Sequence, residues 1–100
     1  MIRCVKFSPI ERGALRGFCD LDLDSGLTIH DCTVMESNGR RWVGLPGKPQ
    51  INTDKTVRTD PASGKVLYVP VVSIADKARR DLFSSNALIA IDAFRGESTR

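Results

Sequence analysis

Leu27-Thr28-Ile29-His30-Asp31-Cys32-Thr33-Val34-Met35-Glu36, then Ser37-Asn38-Gly39, then Arg40-Arg41-Trp42-Val43-Gly44-Leu45 and Pro46-Gly47-Lys48-Pro49 form the stretch that decides the fold. The first run is rich in Thr, Ile and Val, residues that suit a pleated, half-buried strand. Asn-Gly is a strong short-range hairpin signal, because a type I′ turn needs two residues that tolerate positive φ. Arg40 to Leu45 is therefore expected to pair back on Leu27–Glu36, and Pro46 and Pro49 to stop the second strand.

Working upstream, Cys19-Asp20-Leu21-Asp22-Leu23-Asp24 alternates cleanly within a segment from Ala14 to Asp24. Cys19, Leu21 and Leu23 then share one face and the carboxylates the other, and Ser25-Gly26 supplies the turn into the next strand. Ile2 to Ser8 reads as a first strand in a slightly broken pattern, ended by Pro9. Downstream, the polar stretch to Lys65 contains a second turn signal, Asp60-Pro61-Ala62-Ser63-Gly64, and reads as an arm carrying function or a hairpin of its own. Val66 to Val72 is β-branched and reads as a strand. Ser73 with Asp76 looks like a capping box opening a helix, with Ile74, Ala78 and Leu82 on one face. Ser84-Ser85-Asn86 leaves open one helix from Ser73 to Phe94 or two short ones, while Ala87, Ala90, Ile91 and Phe94 continue an apolar stripe. The expected fold class is α+β: a mainly antiparallel sheet of four to five strands with a C-terminal helix or helix pair. It forms one domain over residues 1–100, with an extended arm at 46–65 and a frayed tail at 96–100.

One hundred residues suffice for a single core and no more. No apolar run reaches the roughly 20 residues that span a bilayer, and the N-terminus lacks the apolar stretch of a signal peptide, so a cytoplasmic protein with no membrane partner is expected. Cys4, Cys19 and Cys32 are odd in number and show no C-x-x-C spacing. They suggest neither a disulfide framework nor a zinc site and read as small buried hydrophobes.

The chemistry-bearing residues argue for binding over catalysis. Asp20, Asp22 and Asp24 with Asp31 superficially match a calcium loop, but Ser25 stands where that loop needs glycine, and strand alternation explains the spacing. His30 and Cys32 fall on one face of a regular strand, which makes a dyad conceivable, yet no orienting Asn or Asp can be assigned to it. Ser63-Gly64-Lys65 lacks the first glycine and the closing hydroxyl of a phosphate loop. No catalytic residue, metal, cofactor or small-molecule substrate is expected. The net charge of +3 is mild, but between Glu36 and Pro70 the bases Arg40, Arg41, Lys48, Lys55, Arg58 and Lys65 outnumber Glu36, Asp54 and Asp60 by the whole of that surplus. Such a bias suits phosphate contact, and equally a solvated loop. Trp42 and Tyr68 are candidates for base stacking; the competing reading makes Trp42 a core residue or one buried at a dimer interface.

From Leu27 to Val34, and from Asn38 through Trp42-Val43-Gly44-Leu45-Pro46-Gly47-Lys48, the sequence resembles the SpoVG family, named for stage V sporulation protein G. Members of that family carry a strand ending in His-Asp, an Asn-Gly-like hairpin and an aromatic-Val-x-Met/Leu-Pro-Ser-Lys run. The resemblance implies a bacterial, cytosolic, homodimeric regulator that binds DNA or RNA, in a family linked to sporulation, septation and gene expression. Nucleic-acid contact in the family is attributed mainly to basic residues of the C-terminal helical part, which here correspond to Lys77, Arg79 and Arg80. Arg40, Arg41, Lys48 and Lys55 complete the expected basic surface. Two departures stand out: Gly47 replaces the usual Ser, and Pro49 to Lys65 is longer than the family's segment. The alternative is a protein-interaction module docking through Trp42, Tyr68 and the arm, without nucleic acid.

Overall fold

The structure is a computed structural model that describes residues 1–98. Its elements are β1 (Arg3–Arg12), β2 (Leu15–Asp22), β3 (Thr28–Ser37), β4 (Arg40–Gly44), β5 (Gly47–Pro49), β6 (Tyr68–Pro70) and α1 (Lys77–Ser98). The first four make an antiparallel meander in the order β1-β2-β3-β4, and β5 and β6 pair in a separate two-stranded sheet. This is the α+β architecture expected. Asn38 and Gly39 take φ of 54° and 75° in the β3–β4 turn, as a type I′ hairpin requires.

Alternation places Cys19 and Leu21 inward, and both are buried. With Cys4, Ile29, Cys32, Val34 and Val43 they form the sheet's side of the core, and Ala87 and Ile91 are the helix's contribution. The broken pattern of the first strand has a geometric cause. Cys4 faces Leu21 and Lys6 faces Asp20, so Val5 is an extra residue in a bulge, and inward-facing Cys4 and Phe7 fall three apart. The strand does not stop at Pro9. It continues to Arg12 because β1 is a sheet edge, where a missing N–H costs no ladder bond.

A second bulge sits on β3. Cys19 faces Cys32 and Leu21 faces Ile29, so Asp20 alone opposes both His30 and Asp31. Asp31 takes φ of 59°, a conformation Asp tolerates better than most residues. The inserted residue reverses the strand's parity: Ile29 and Cys32 are buried while His30 points to solvent. The expected shared face of His30 and Cys32 is therefore wrong, and no cysteine–histidine dyad forms.

One unbroken helix crosses the core face and packs on β1 and β4. Ser84 does not interrupt it, because its hydroxyl accepts the Val43 N–H at 2.8 Å on the outer edge of β4. Arg95 stacks over the Phe7 ring at 4.5 Å from its centroid. The helix starts at Lys77, later than Ser73, because the N–H groups of Val71 and Val72 reach back to the Pro46 carbonyl and hold the chain to the arm's base. The Asp76 carbonyl accepts the Arg80 N–H, which makes Asp76 the capping residue. The inward stripe is Phe83, Ala87, Ala90, Ile91 and Phe94, whereas Ala78 and Leu82, placed on the core face by the sequence, are exposed. At the other end the helix runs through Gly96 to Ser98, since glycine weakens a helix without ending it; the rest of the expected tail, 99–100, lies outside the described residues.

Candidate nucleic-acid interface

The segment from Gly47 to Pro70 folds into a forked arm. Its stem pairs Gly47 with Pro70, Lys48 with Val69 and Pro49 with Tyr68. Pro46 to Pro49, expected only to stop a strand, thus supplies a new one, and the strand expected over Val66–Val72 is confined to Tyr68–Pro70. Glycine is needed at 47 because a Cβ there would meet the Val69 carbonyl oxygen at 2.9 Å. Beyond the stem the chain splits. Ile51 bridges Val57 in one lobe and Thr59 bridges Val66 in the other. Three residues close the junction as a ring: Gln50 N–H donates to the Leu67 carbonyl, Leu67 N–H to Arg58 and Arg58 N–H to Gln50, at 2.8, 3.0 and 2.9 Å.

The lobe tips are built by their carboxylates. Asp54 accepts from the Thr56 amide at 3.0 Å and from its hydroxyl, while Asp60 accepts from the Ala62 amide at 2.9 Å and the Ser63 hydroxyl at 3.2 Å. The Thr56 hydroxyl and amide hold the Asp54 carboxyl below its ordinary pKa. Both acids are thereby turned into their own loops, as Asx-type turns require.

Strand alternation through this register gives the arm two unlike faces. Pro49, Ile51, Val57, Thr59, Val66 and Tyr68 fall on one, which carries no charge. Ile51 and Tyr68 are each 60% exposed there. Lys48, Arg58 and Lys65 fall on the other, and Lys55 stands at a tip with φ of 71°. None of these four cations joins an ion pair among the described residues.

The other expected contact residues are arranged differently. Arg41 is clamped to Asp92 by two bonds of 3.0 and 2.9 Å, so it fastens β4 to the helix. This pairing holds Asp92 below the ordinary carboxylate range. Arg79 lies 3.9 Å from Asp76. Lys77 bonds Asp81 at 2.8 Å and depresses its pKa, and Arg40 and Arg80 act on the same carboxylate. Lys77 is thus paired with Asp81 and the charges of Arg40 and Arg80 reach the same carboxylate, while Lys48 and Lys55 belong to the arm; the seven do not form one group. Arg58 and Lys65 were counted in the basic surplus but not singled out as contacts. Their place beside Lys48 depends on the fork, which has no signature in composition. Trp42, 37% exposed on β4, is neither core nor fully open.

Outside this region, the Asp20 carboxylate accepts from the Asp31 N–H at 3.1 Å and bonds His30 Nδ1 at 2.9 Å. The His30 bond, joined by the Asp31 amide and the charge of Lys6, holds Asp20 below its ordinary pKa. A group whose folded pKa is depressed stabilises the fold above its unfolded value, and that contribution is lost as pH falls through the folded value. Asp20→Ala is therefore expected to lower stability by about 1–2 kcal/mol at neutral pH. Urea titrations should show that difference shrinking below about pH 4; an equal difference at both pH values would rule out the carboxylate as its source. Asp22 accepts from the Thr28 hydroxyl at 2.7 Å, and Asp24 pairs with the N-terminal ammonium. Among the described residues no three His, Cys, Asp or Glu side chains gather as a metal site would need, and no helix is long and apolar enough to cross a membrane.

Compared with protein-family models, curated proteins and solved structures, the chain matches none of them.

Proposed function

We propose that this chain is a small bacterial nucleic-acid-binding regulator of the SpoVG type, cytoplasmic and homodimeric, which binds rather than catalyses. The observation that carries the reading is the arm's set of four cations, Lys48, Lys55, Arg58 and Lys65, standing off the body with no ionic partner among the described residues, while the nearby acids Asp54 and Asp60 are engaged in their own turns. Cations already paired within a protein have less to gain from phosphate than free ones. The contact surface accordingly centres on the arm, with Arg40, Lys77 and Arg80 as a secondary cluster and Arg41 as a structural clamp. The resemblance of the hairpin to the SpoVG family supplies the regulatory context.

A mobility-shift titration at two salt concentrations tests the reading. Four phosphate contacts on duplex DNA give a slope of about −3.6 in log K against log salt, a loss of roughly 100-fold between 50 and 200 mM. No binding at low salt, or binding that ignores salt, would refute it.

The uncharged arm face favours a role for protein contact as well. Two copies can meet through it without opposing like charges, leaving both cationic faces outward. Sedimentation velocity is expected to show a dimer that Ile51→Lys converts to monomer. A wild-type monomer at tens of micromolar would instead favour docking of a different protein on that face, the reading in which Trp42 and Tyr68 anchor a partner.

A further inference from the structure

Cys19 and Cys32 are directly opposed on neighbouring antiparallel strands, and both side chains enter the core at 1% and 0% exposure. Directly opposed residues in such a pair have Cα atoms about 4.5–5.5 Å apart. Disulfides form across Cα separations of about 4.4–6.8 Å. The two thiols are free in the structure, but their backbones already stand at bridging distance.

Cys4 is the third thiol in the same core, and its register excludes it. It opposes Leu21, whereas Cys19 opposes Phe7, so Cys4 is a diagonal neighbour of Cys19. Diagonal neighbours lie about 7–8 Å apart, at or beyond the bridging limit of roughly 7 Å. The Cys4 thiol is also occupied locally, donating to the Lys6 carbonyl at 3.3 Å across the β1 bulge.

The pair abuts a break in the ladder. Immediately beyond Cys19 and Cys32, pairing skips across the His30–Asp31 bulge. Over that gap the Cys32 thiol reaches the Ile29 carbonyl at a long 3.9 Å. Opening there interrupts fewer backbone bonds than opening a regular ladder, which gives the buried sulfurs a route to solvent. While the strands are closed, both sulfurs are withdrawn from solvent, and the neighbouring Cys32 sulfur and burial push the Cys19 thiol up.

We propose that Cys19 and Cys32 are a redox-labile pair that closes to an intramolecular disulfide by exchange with a small disulfide such as oxidised glutathione. One thiolate attacks RSSR, forming a protein–SR mixed disulfide and expelling RS⁻. The second thiolate then displaces the remaining RS⁻ and forms the Cys19–Cys32 bond. The two protein thiols give up two electrons and two protons, and RSSR is reduced to two RSH. The product fastens β2 to β3 on the core side of the bulge and does not involve the arm.

The test uses the wild-type chain, incubated with excess oxidised glutathione at mildly alkaline pH, alkylated under denaturing conditions and digested without reductant. The expected result is a linked Cys19–Cys32 peptide lighter by two hydrogens, with Cys4 alkylated. The thermal midpoint should rise by on the order of 10 °C and fall back on adding dithiothreitol. Cys4→Ser should give the same bridge. The inference is overturned by a bridge through Cys4, by a glutathione adduct that persists on either residue, or by three alkylatable cysteines after incubation in enough urea to populate the open fold.

Discussion

Replacing Lys48, Lys55, Arg58 and Lys65 together by alanine is expected to weaken nucleic-acid binding by at least 100-fold at 50 mM salt and to flatten the salt dependence of what remains. The fold should survive, because β5 and β6 pair with each other and the core lies among β1 to β4 and the helix. None of the four side chains supports the turns, which rest on Asp54 and Asp60. Far-UV circular dichroism should therefore be unchanged. The comparison that decides the matter is Arg40, Lys77 and Arg80 replaced as a second set. Lys77 is already paired with Asp81, and the charges of Arg40 and Arg80 act on the same carboxylate, so loss of this set should cost severalfold less than loss of the arm set. If this second set proves the more damaging, the arm is not the principal contact surface.

Leu21→Ala is expected to cost about 3–4 kcal/mol, in the middle of the range for a buried leucine. Leu21 has no exposed surface, and it lies on the central strand β2 between the two bulges, facing Cys4 on one side and Ile29 on the other. The surroundings can collapse only partly into the space left. The rest of the fully buried set, Cys19, Cys32, Ala87 and Ile91, includes just one other large aliphatic side chain. Against a total stability of about 5–15 kcal/mol for a domain of this kind, the loss is a large fraction. The urea midpoint should fall by about 2 M. A cost below about 1 kcal/mol would mean that the bulged centre of the sheet repacks readily.

The parts of the fold that were legible in the sequence share one property: each follows from a periodicity or from a turn with a steric requirement. Cys19 and Leu21 alternate with acids and are buried; Asn38-Gly39 carries the two positive φ values its turn needs. The parts that escaped follow from single residues that change phase without a marker. Val5 is an unremarkable strand residue, yet its insertion puts Cys4 and Phe7 on one side. Asp31 does the same to Ile29 and Cys32, which is why His30 ended on the wrong face in the reading of a regular strand. On the helix, a shift of one position separates the expected Leu82 from the observed Phe83.

The candidate site divides along the same line. A basic surplus after Glu36 is visible in composition, but which cations are spent inside the protein is not. Arg41 and Asp92 stand 51 positions apart, and only the packing of the helix on β4 brings them together. The neutral and cationic faces of the arm likewise depend on a register set by the Gln50, Arg58 and Leu67 backbone, where side-chain identity contributes little.

That three-membered ring has a consequence for how such a chain can change over time. Because each lobe of the fork leaves from and returns to the same closed set of backbone bonds, its outer residues can lengthen, shorten or vary without disturbing the other lobe or the sheet below. The Asn52–Thr56 and Asp60–Lys65 tips are thus natural grafting points, two interchangeable fingers on a fixed knuckle, through which one scaffold can be retargeted while its body stays the same.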